Sequence, residues 1–546
     1  MGRSEYWAKP KLVREQSTLF CPTLDETIPE DHEVRLLDEM LRKLDWSEWE
    51  EHFPGGRGQP PIHPRVLAGV WLYGMLRRIR TSRPLEYACA HNVDFMWLAE
   101  GRVPDHSTLA DFFSKFRKEV KSLFTQVSRV AMTMGLVRLG EVAFDGTRVR
   151  ACNGRHKTLT TPTLLERLQA VENRIEQIMS EVQAAEAAAG ELRGESVTKL
   201  PSELADLKTR QEKLSQALEI AKSLDAARRA DGIDVVKSPA QVPMTDLDSR
   251  VMPNKEGGYA PNYTPTCLTD GHSGFILEAS VLNIINEHPE TLPAVDRATD
   301  QCGEPPEKFM GDGGMATGPI MAGLEERGIT GYLPVKSNEP AVDNPARRDD
   351  LTVPVSEDQW AQLPRNSQGQ LDKSCFIYVK ERNEYVCPNS RSLPYESRET
   401  RNGVVLYRYQ SSSCEGCPLV ALCLSHPKDA TAEQRTVANN RIRSIRRDEH
   451  EEPRQRMVKH MASDDAKKQF NRRSFIAETP FAYLKAILGL RQFRHCDIEK
   501  VDQEWRWSCL SLNVKKLVRA IKRWQKLCTE ALIGEPEEQQ ISTAMA

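Results

Sequence analysis

Between Glu141 and Val335 the chain twice changes the period of its apolar residues, and this limits the possible folds more than any other feature. Glu141-Val142-Ala143-Phe144-Asp145 reads as a short buried strand that ends in an acid and is closed by Gly146-Thr147. After Lys157 the pattern turns helical. Leu164, Leu168, Val171, Ile175, Ile178, Val182 and Ala185 follow at alternating spacings of four and three, a heptad seam. Leu204, Leu207, Leu214, Leu218 and Ala221 continue it beyond a break from Gly190 to Pro201, which favours an antiparallel hairpin within one chain over a zipper between two. Strand signals then resume from Tyr263 to Leu268, turn through Asp270-Gly271-His272-Ser273-Gly274, and return from Phe275 to Val281 as a β-hairpin. A helix over Pro289 to Thr299, a strand over Lys308 to Gly311, a helix around Ile320 to Arg327 and a strand over Gly331 to Val335 complete the run. Strand, hairpin, helix, strand, helix, strand is the order of an α/β domain with a mixed sheet, here interrupted by a helical-hairpin insert.

Upstream, residues 30 to 135 read as all-helical. Leu36, Leu37, Met40, Leu41 and Leu44 lie at helical spacing, Pro64 suits a first helical turn, and Ser107 or Asp105 offers a cap for the helix carrying Phe112 and Phe113. Arg77, Arg78, Arg80 and Arg83 either reach phosphates or form an ordinary exposed basic turn. Downstream, residues 338 to 436 are rich in Ser, Asn, Asp and Pro. Here Cys414-Glu415-Gly416-Cys417, Cys423 six residues on and Cys387 upstream could complete a tetrahedral thiolate site for structural zinc; free thiols are the alternative. Arg435 to Glu452 is a basic run, linker or helix, and a final helix holds Trp505, Trp507, Leu510 and Leu517. The expected division is a helical domain over 1–135, a first core strand over 136–160, the coiled-coil hairpin over 161–235, more core over 236–337, the Cys-containing insert over 338–436, the end of the core over 437–525 and a disordered tail over 526–546.

The formal charge of −3 hides strong segregation. From Arg435 to Lys526, Lys and Arg outnumber Asp and Glu roughly two to one, as expected where a polyanion docks locally. The start, Met1-Gly2-Arg3-Ser4-Glu5-Tyr6, lacks a signal-peptide core, and no apolar run is long enough to span a bilayer, so a cytosolic protein without a membrane partner is expected. The 13 Cys, odd in number and scattered, point to reduced thiols.

Within the basic region, Asn471 to Lys485 sets Glu478 among Arg472, Arg473 and Lys485; if helical, Glu478 and Lys485 share one face two turns apart. Asp145 and Asp312 each close a short apolar strand and are followed by Gly. If those strands are parallel neighbours, both carboxylates emerge at the carboxyl edge of the sheet, and a helix laid across it adds Glu478. Three carboxylates together repel unless a cation joins them. Oxygen-only ligation favours Mg²⁺ or Mn²⁺, and such ions serve in-line phosphoryl transfer on DNA. Arg473 and Lys485 would grip the flanking phosphates.

The combination of Phe144-Asp145-Gly146-Thr147, Gly311-Asp312-Gly313-Gly314 and Phe470-x2-Arg473-x4-Glu478-x6-Lys485 resembles the DDE transposases of bacterial insertion sequences, with Phe470 where the Tyr-Arg-Glu-Lys signature has Tyr. His63-Pro64, Ser82-Arg83-Pro84-Leu85-Glu86, Pro104-Asp105-His106-Ser107-Thr108 and the Cys387-Pro388 and Cys414-x2-Cys417 elements share in that resemblance. It implies an RNase H-like mixed sheet with helices on both faces, cutting and joining at element ends, and Asp145, Asp312 and Glu478 as the catalytic, metal-binding triad. It also implies double-stranded DNA, at the element ends and the target, as partner, with Arg472, Arg473, Lys485 and Arg491 as contacts, in a homodimer at the bacterial nucleoid. The same acids would serve a nuclease that cleaves without strand transfer, and a repurposed DNA-binding scaffold would need only the basic surfaces.

Overall fold

The computed structural model describes residues 23–533 apart from 54–59, 155–156, 191–201, 255–256, 336–343, 402–403, 426–430, 432–433 and 435–440. The expected features at Met1 to Tyr6, at the tip of the heptad hairpin and beyond residue 533 lie outside the described residues.

The N-terminal region is helical: α1 (Glu33–Arg42), α2 (Ser47–Glu50), α3 (Pro64–Leu76), α4 (Ser82–His91), α5 (Val93–Leu98), α6 (His106–Lys115) and α7 (Arg117–Thr133). Local signals explain the starts. Pro64 opens α3 where its missing N–H costs nothing, and the cap of α6 is Asp105, which accepts from the Thr108 amide at 2.8 Å.

The main sheet contains β1 (Val142–Gly146), β2 (Val149–Arg150), β5 (Arg250–Pro253), β6 (Tyr259–Asp270), β7 (Ile276–Leu282), β8 (Lys308–Met310) and β9 (Thr330–Tyr332). Across its centre the order is β7-β6-β1-β8-β9; β6 is antiparallel to β7 and β1, whereas β8 is parallel to both β1 and β9. Helices α10 (Thr291–Cys302) and α11 (Gly318–Glu326) make the crossovers between β7, β8 and β9. Strand alternation divides the apolar residues between two faces. Val142 and Phe144 enter the main core, while Ala143, Met310 and Tyr332 form a second core with Ala466, Ile476 and Ala477 from the helices Asp464–Asn471 and Arg473–Ala482.

The inserts are built separately. Between β3 (Thr158–Thr160) and β4 (Gln241–Pro243), which pair with each other, α8 (Thr161–Gly190) and α9 (Ser202–Ala230) pack antiparallel. Leu164 and Val171 meet Leu214, Leu218 and Ala221, and Thr161 at the start of α8 donates to Asp225 near the end of α9 at 2.6 Å. The second insert is an antiparallel sheet in the order β10 (Ile377–Val379), β11 (Glu384–Val386), β12 (Ser392–Arg401), β13 (Val404–Gln410), β14 (Ser444–Asp448). Its last strand lies in the basic run expected to be linker or helix. Ile445 points inward and Arg447 lays its guanidinium over the Tyr378 ring, a two-residue alternation too short to stand out among arginines. The sheet therefore runs past 436.

The C-terminal helix, Ile498–Ile533, is the axis of the molecule. Its buried Trp505, Trp507, Leu510 and Leu517 share one continuous core with Trp49, Trp71 and Phe113 of the N-terminal helices, so that region packs as part of the same body. Asn513 satisfies the edge of β7, accepting from the Ile276 amide at 2.9 Å and donating to its carbonyl at 2.7 Å. The helix runs through residues 526–533, which were expected to begin a disordered tail. No helix among the described residues is long and apolar enough to cross a membrane.

Arg80 departs from its expected place in an exposed basic turn. It is buried, 3.2 Å from the fully buried Glu504, and donates to the carbonyls of Gln492 and Gly489, so it is closed to phosphate. Glu504 also accepts from the amides of Arg494 and His495 and from the His495 ring. Breaking such a pair leaves a charge buried without its partner. Arg80→Met is expected to cost about 3–5 kcal/mol in urea unfolding, whereas Lys43→Met, which removes an exposed pair with Glu39, should unfold with wild type.

Candidate active site

The register of two strands sets the site. Val142 pairs with Phe309 and Ala143 with Met310, in parallel. Asp145 lies two residues beyond Ala143 on β1, on the same face of the sheet, and Asp312 follows Met310 by two residues, in the turn just past the end of β8. That face lies under the helix Arg473–Ala482, which covers it with Ile476 and Ala477.

Asp145 is mostly buried. Its Oδ2 is 3.4 Å from Arg473 Nη2, and its Oδ1 accepts from the Gly146 amide at 2.8 Å. Asp312 Oδ1 accepts from the amides of Gly314 at 2.9 Å and Met315 at 3.1 Å. Asp312 thus caps its turn; a carboxylate has about four acceptor positions, which these two bonds do not exhaust. Glu478 follows Ala477 and is exposed, on the solvent side of its helix. Among the described residues no group of three or more His, Cys, Asp or Glu is gathered closely enough to hold a metal ion. The structure sets Asp145 at the end of β1 and Asp312 just past the end of the neighbouring β8, and leaves Glu478 exposed on its helix. Like charges give a physical reason: Arg473, rather than a third carboxylate, stands against Asp145.

The expected DNA contacts fall into two groups. Arg472 is 2.5 Å from Glu141 Oε1, and Lys485 donates to Thr147 Oγ1 at 2.6 Å and to the Arg148 carbonyl at 2.8 Å. Lys485 thereby ties its helix to the turn directly behind Asp145. Its own segment, Tyr483–Ile487, is a π turn following Pro480, a widened turn of the kind often found at functional sites. Arg491 is exposed, beside the strand-like bridge between Arg150 and Gln492.

Two residues from the segment after β7, which sequence reasoning passed over, pack against glycines close in sequence to the aspartates. A Cβ at Gly146 would lie 3.2 Å from Glu287 Cδ, and one at Gly314 would strike the His288 ring while standing 3.2 Å from Asp312 Oδ1. Glycine at 146 and 314 therefore admits an acid and an imidazole to the edge where the aspartates lie. The acid-His pair just before Pro289 was the only available signal. Phe475, one turn before Glu478, is 76% exposed, an unusual cost for a large ring.

Cys387, Cys414, Cys417 and Cys423 stand in the second insert, around one small apolar cavity. Burial raises the Cys387 thiol and pushes that of Cys423 up to about 12. All described cysteines are free of disulfides.

Residues 22–115 match the family model described as Transposase domain (DUF772), and residues 386–518, which include Glu478 and Lys485, match that described as Transposase DDE domain. No curated protein and no solved structure matched the chain. The chain thus carries two transposase domains, one of them of the DDE type, a pairing that supports a DDE transposase of an insertion sequence, an enzyme of DNA phosphoryl transfer.

Proposed function

We propose that this transposase cleaves insertion-sequence ends and joins them to target DNA through Asp145, Asp312 and Glu478 on an RNase H-like core, with Mg²⁺ or Mn²⁺ held by those carboxylates. The observation that carries this is the parallel pairing of β1 with β8, whose carboxyl ends lead into Asp145 and Asp312, beneath the helix that bears Glu478. The order β7-β6-β1-β8-β9, with an antiparallel half and a parallel half, supports the RNase H-like reading. The donor set fits a hard cation: its atoms are carboxylate oxygens, and the Arg473 guanidinium beside Asp145 marks a place where positive charge is favoured. When bound, such ions supply an activated hydroxyl and a stabilised leaving oxygen at the phosphodiester.

In this reading the protein groups position the DNA. Arg473, beside Asp145, would contact a phosphate of the bound DNA, and Glu478 on the same helix would add the third carboxylate for a cation. Lys485 holds the Thr147–Arg148 turn, keeping Asp145 in place. Arg472 and Arg491 add phosphate contacts, which position a duplex without reading its sequence. Two ends are joined, so the working form is a homodimer on DNA, acting at the nucleoid.

Incubation with a labelled element-end duplex, a target plasmid and Mg²⁺ tests this. Joined products are expected from wild type, with losses on the order of 10²–10³-fold or more for Asp145→Asn, Asp312→Asn and Glu478→Gln while duplex binding persists. Cleavage without joining by wild type would replace the transposase reading with a nuclease, and full activity of Glu478→Gln would remove the third acid. Without DNA, Mn²⁺ should raise the thermal midpoint of wild type, by mass action on the folded state, and leave that of Asp145→Asn/Asp312→Asn unchanged.

A further inference from the structure

The second insert contains a constellation that DNA chemistry does not use. Four cysteines from separate stretches line one small cavity: Cys387 after β11, Cys414 and Cys417 after β13, and Cys423 at the end of the short helix Val420–Cys423. Leu371, Phe376, Leu393 and Val420 complete its apolar wall. Three of the four sulfurs are met by hydrogen-bond donors. The Arg391 amide donates to Cys387 Sγ at 3.3 Å, in a tight turn also closed by Cys387 N to Arg391 O and Ser390 N to Cys387 O, both 2.9 Å. The Arg443 amide donates to Cys414 Sγ at 3.4 Å, and the Asn389 side-chain amide to Cys417 Sγ at 3.5 Å. Such contacts hold a ligand side chain in place and orient it toward a metal.

Two guanidiniums brace the same turns. Arg348 donates to the Cys387 carbonyl at 3.2 Å and Arg443 to the Cys423 carbonyl at 2.9 Å. Four thiolates around one Zn²⁺ carry a net charge of about −2, which two arginines offset.

We infer that Cys387, Cys414, Cys417 and Cys423 form a structural zinc site. With four protein sulfurs the coordination is closed, so the ion holds the fold and leaves no position for substrate. Soft sulfur ligands separate it from the oxygen site for Mg²⁺ or Mn²⁺. The sulfurs line the cavity without being gathered closely enough to hold a metal ion in this structure, so their side chains would have to turn inward to ligate zinc. Doing so clamps the β11–β12 turn to the segment after β13, a link the insert needs because its own core is small.

The test uses full-length protein purified with reductant and then dialysed. Elemental analysis should find about one zinc per chain, and cobalt refilling after chelation should give the absorption bands of tetrahedral thiolate-bound Co²⁺. Cys387→Ser and Cys414→Ser should lose both signals, and Cys302→Ser, outside the cluster, should keep them. Should a cysteine variant fail to fold, stripping and refilling the wild type, with circular dichroism as the check on folding, still decides. Folded, fully reduced wild type that takes up neither metal overturns the inference, as does Cys387→Ser with full zinc, or a disulfide among the four thiols in metal-free wild type. None of these readouts involves DNA cleavage, so failure of the acid site leaves them unaffected.

Discussion

The parallel pairing of β1 with β8 is the constraint on which the rest depends. Side chains alternate with a period of two, so a slip of one residue would break the pairing of Val142 with Phe309 and Ala143 with Met310 and set residues of opposite faces side by side. That register is held from both sides. Val142 and Phe144 are buried in the main core, and Ala143 and Met310 beneath Ile476 and Ala477, so no slipped pairing keeps all these residues dry. The acids are thus positioned by the apolar residues that alternate with them. The Glu478 helix belongs to the same arrangement, because the residues before Glu478 are those that bury Ala143.

The C-terminal helix carries this outward. It lies against β7 and the N-terminal helices at once, and the buried Arg80–Glu504 pair joins regions more than four hundred residues apart in sequence. The two segments matched by transposase families are consequently physically continuous. The inserts interrupt the chain without interrupting the sheet: the hairpin leaves and returns through β3 and β4, and the Cys-containing insert has its own sheet and core.

Local signals in the sequence are legible where the physics is local. Heptad spacing revealed α8 and α9, the Asp270 to Gly274 turn revealed the β6–β7 hairpin, and Asp145-Gly146 does end β1, whereas β8 stops at Met310, two residues short of Asp312. What could not be read depends on distant partners. Arg80 belongs to a run of basic residues, and nothing near it in sequence announces Glu504 or the carbonyls of Gly489 and Gln492. The strand Ser444–Asp448 hides among arginines because its outer neighbours, not its composition, make it a strand. Glu287 and His288 pack into space left by Gly146 and Gly314, a feature of close approach that no spacing rule records. Convergence of the third acid was inferred from chemistry, and the structure leaves Glu478 facing solvent.

The central claim, that Asp145, Asp312 and Glu478 share a metal site, is tested most directly by iron-mediated cleavage of the protein backbone. Fe²⁺ takes the place of Mg²⁺ and, with ascorbate and peroxide, cuts the chain beside its ligands. The account predicts cuts next to Asp145, Asp312 and Glu478 together, all suppressed by excess Mg²⁺ and absent in Asp145→Asn/Asp312→Asn. Cuts beside the two aspartates with none near Glu478, in the presence of element-end DNA, would contradict it.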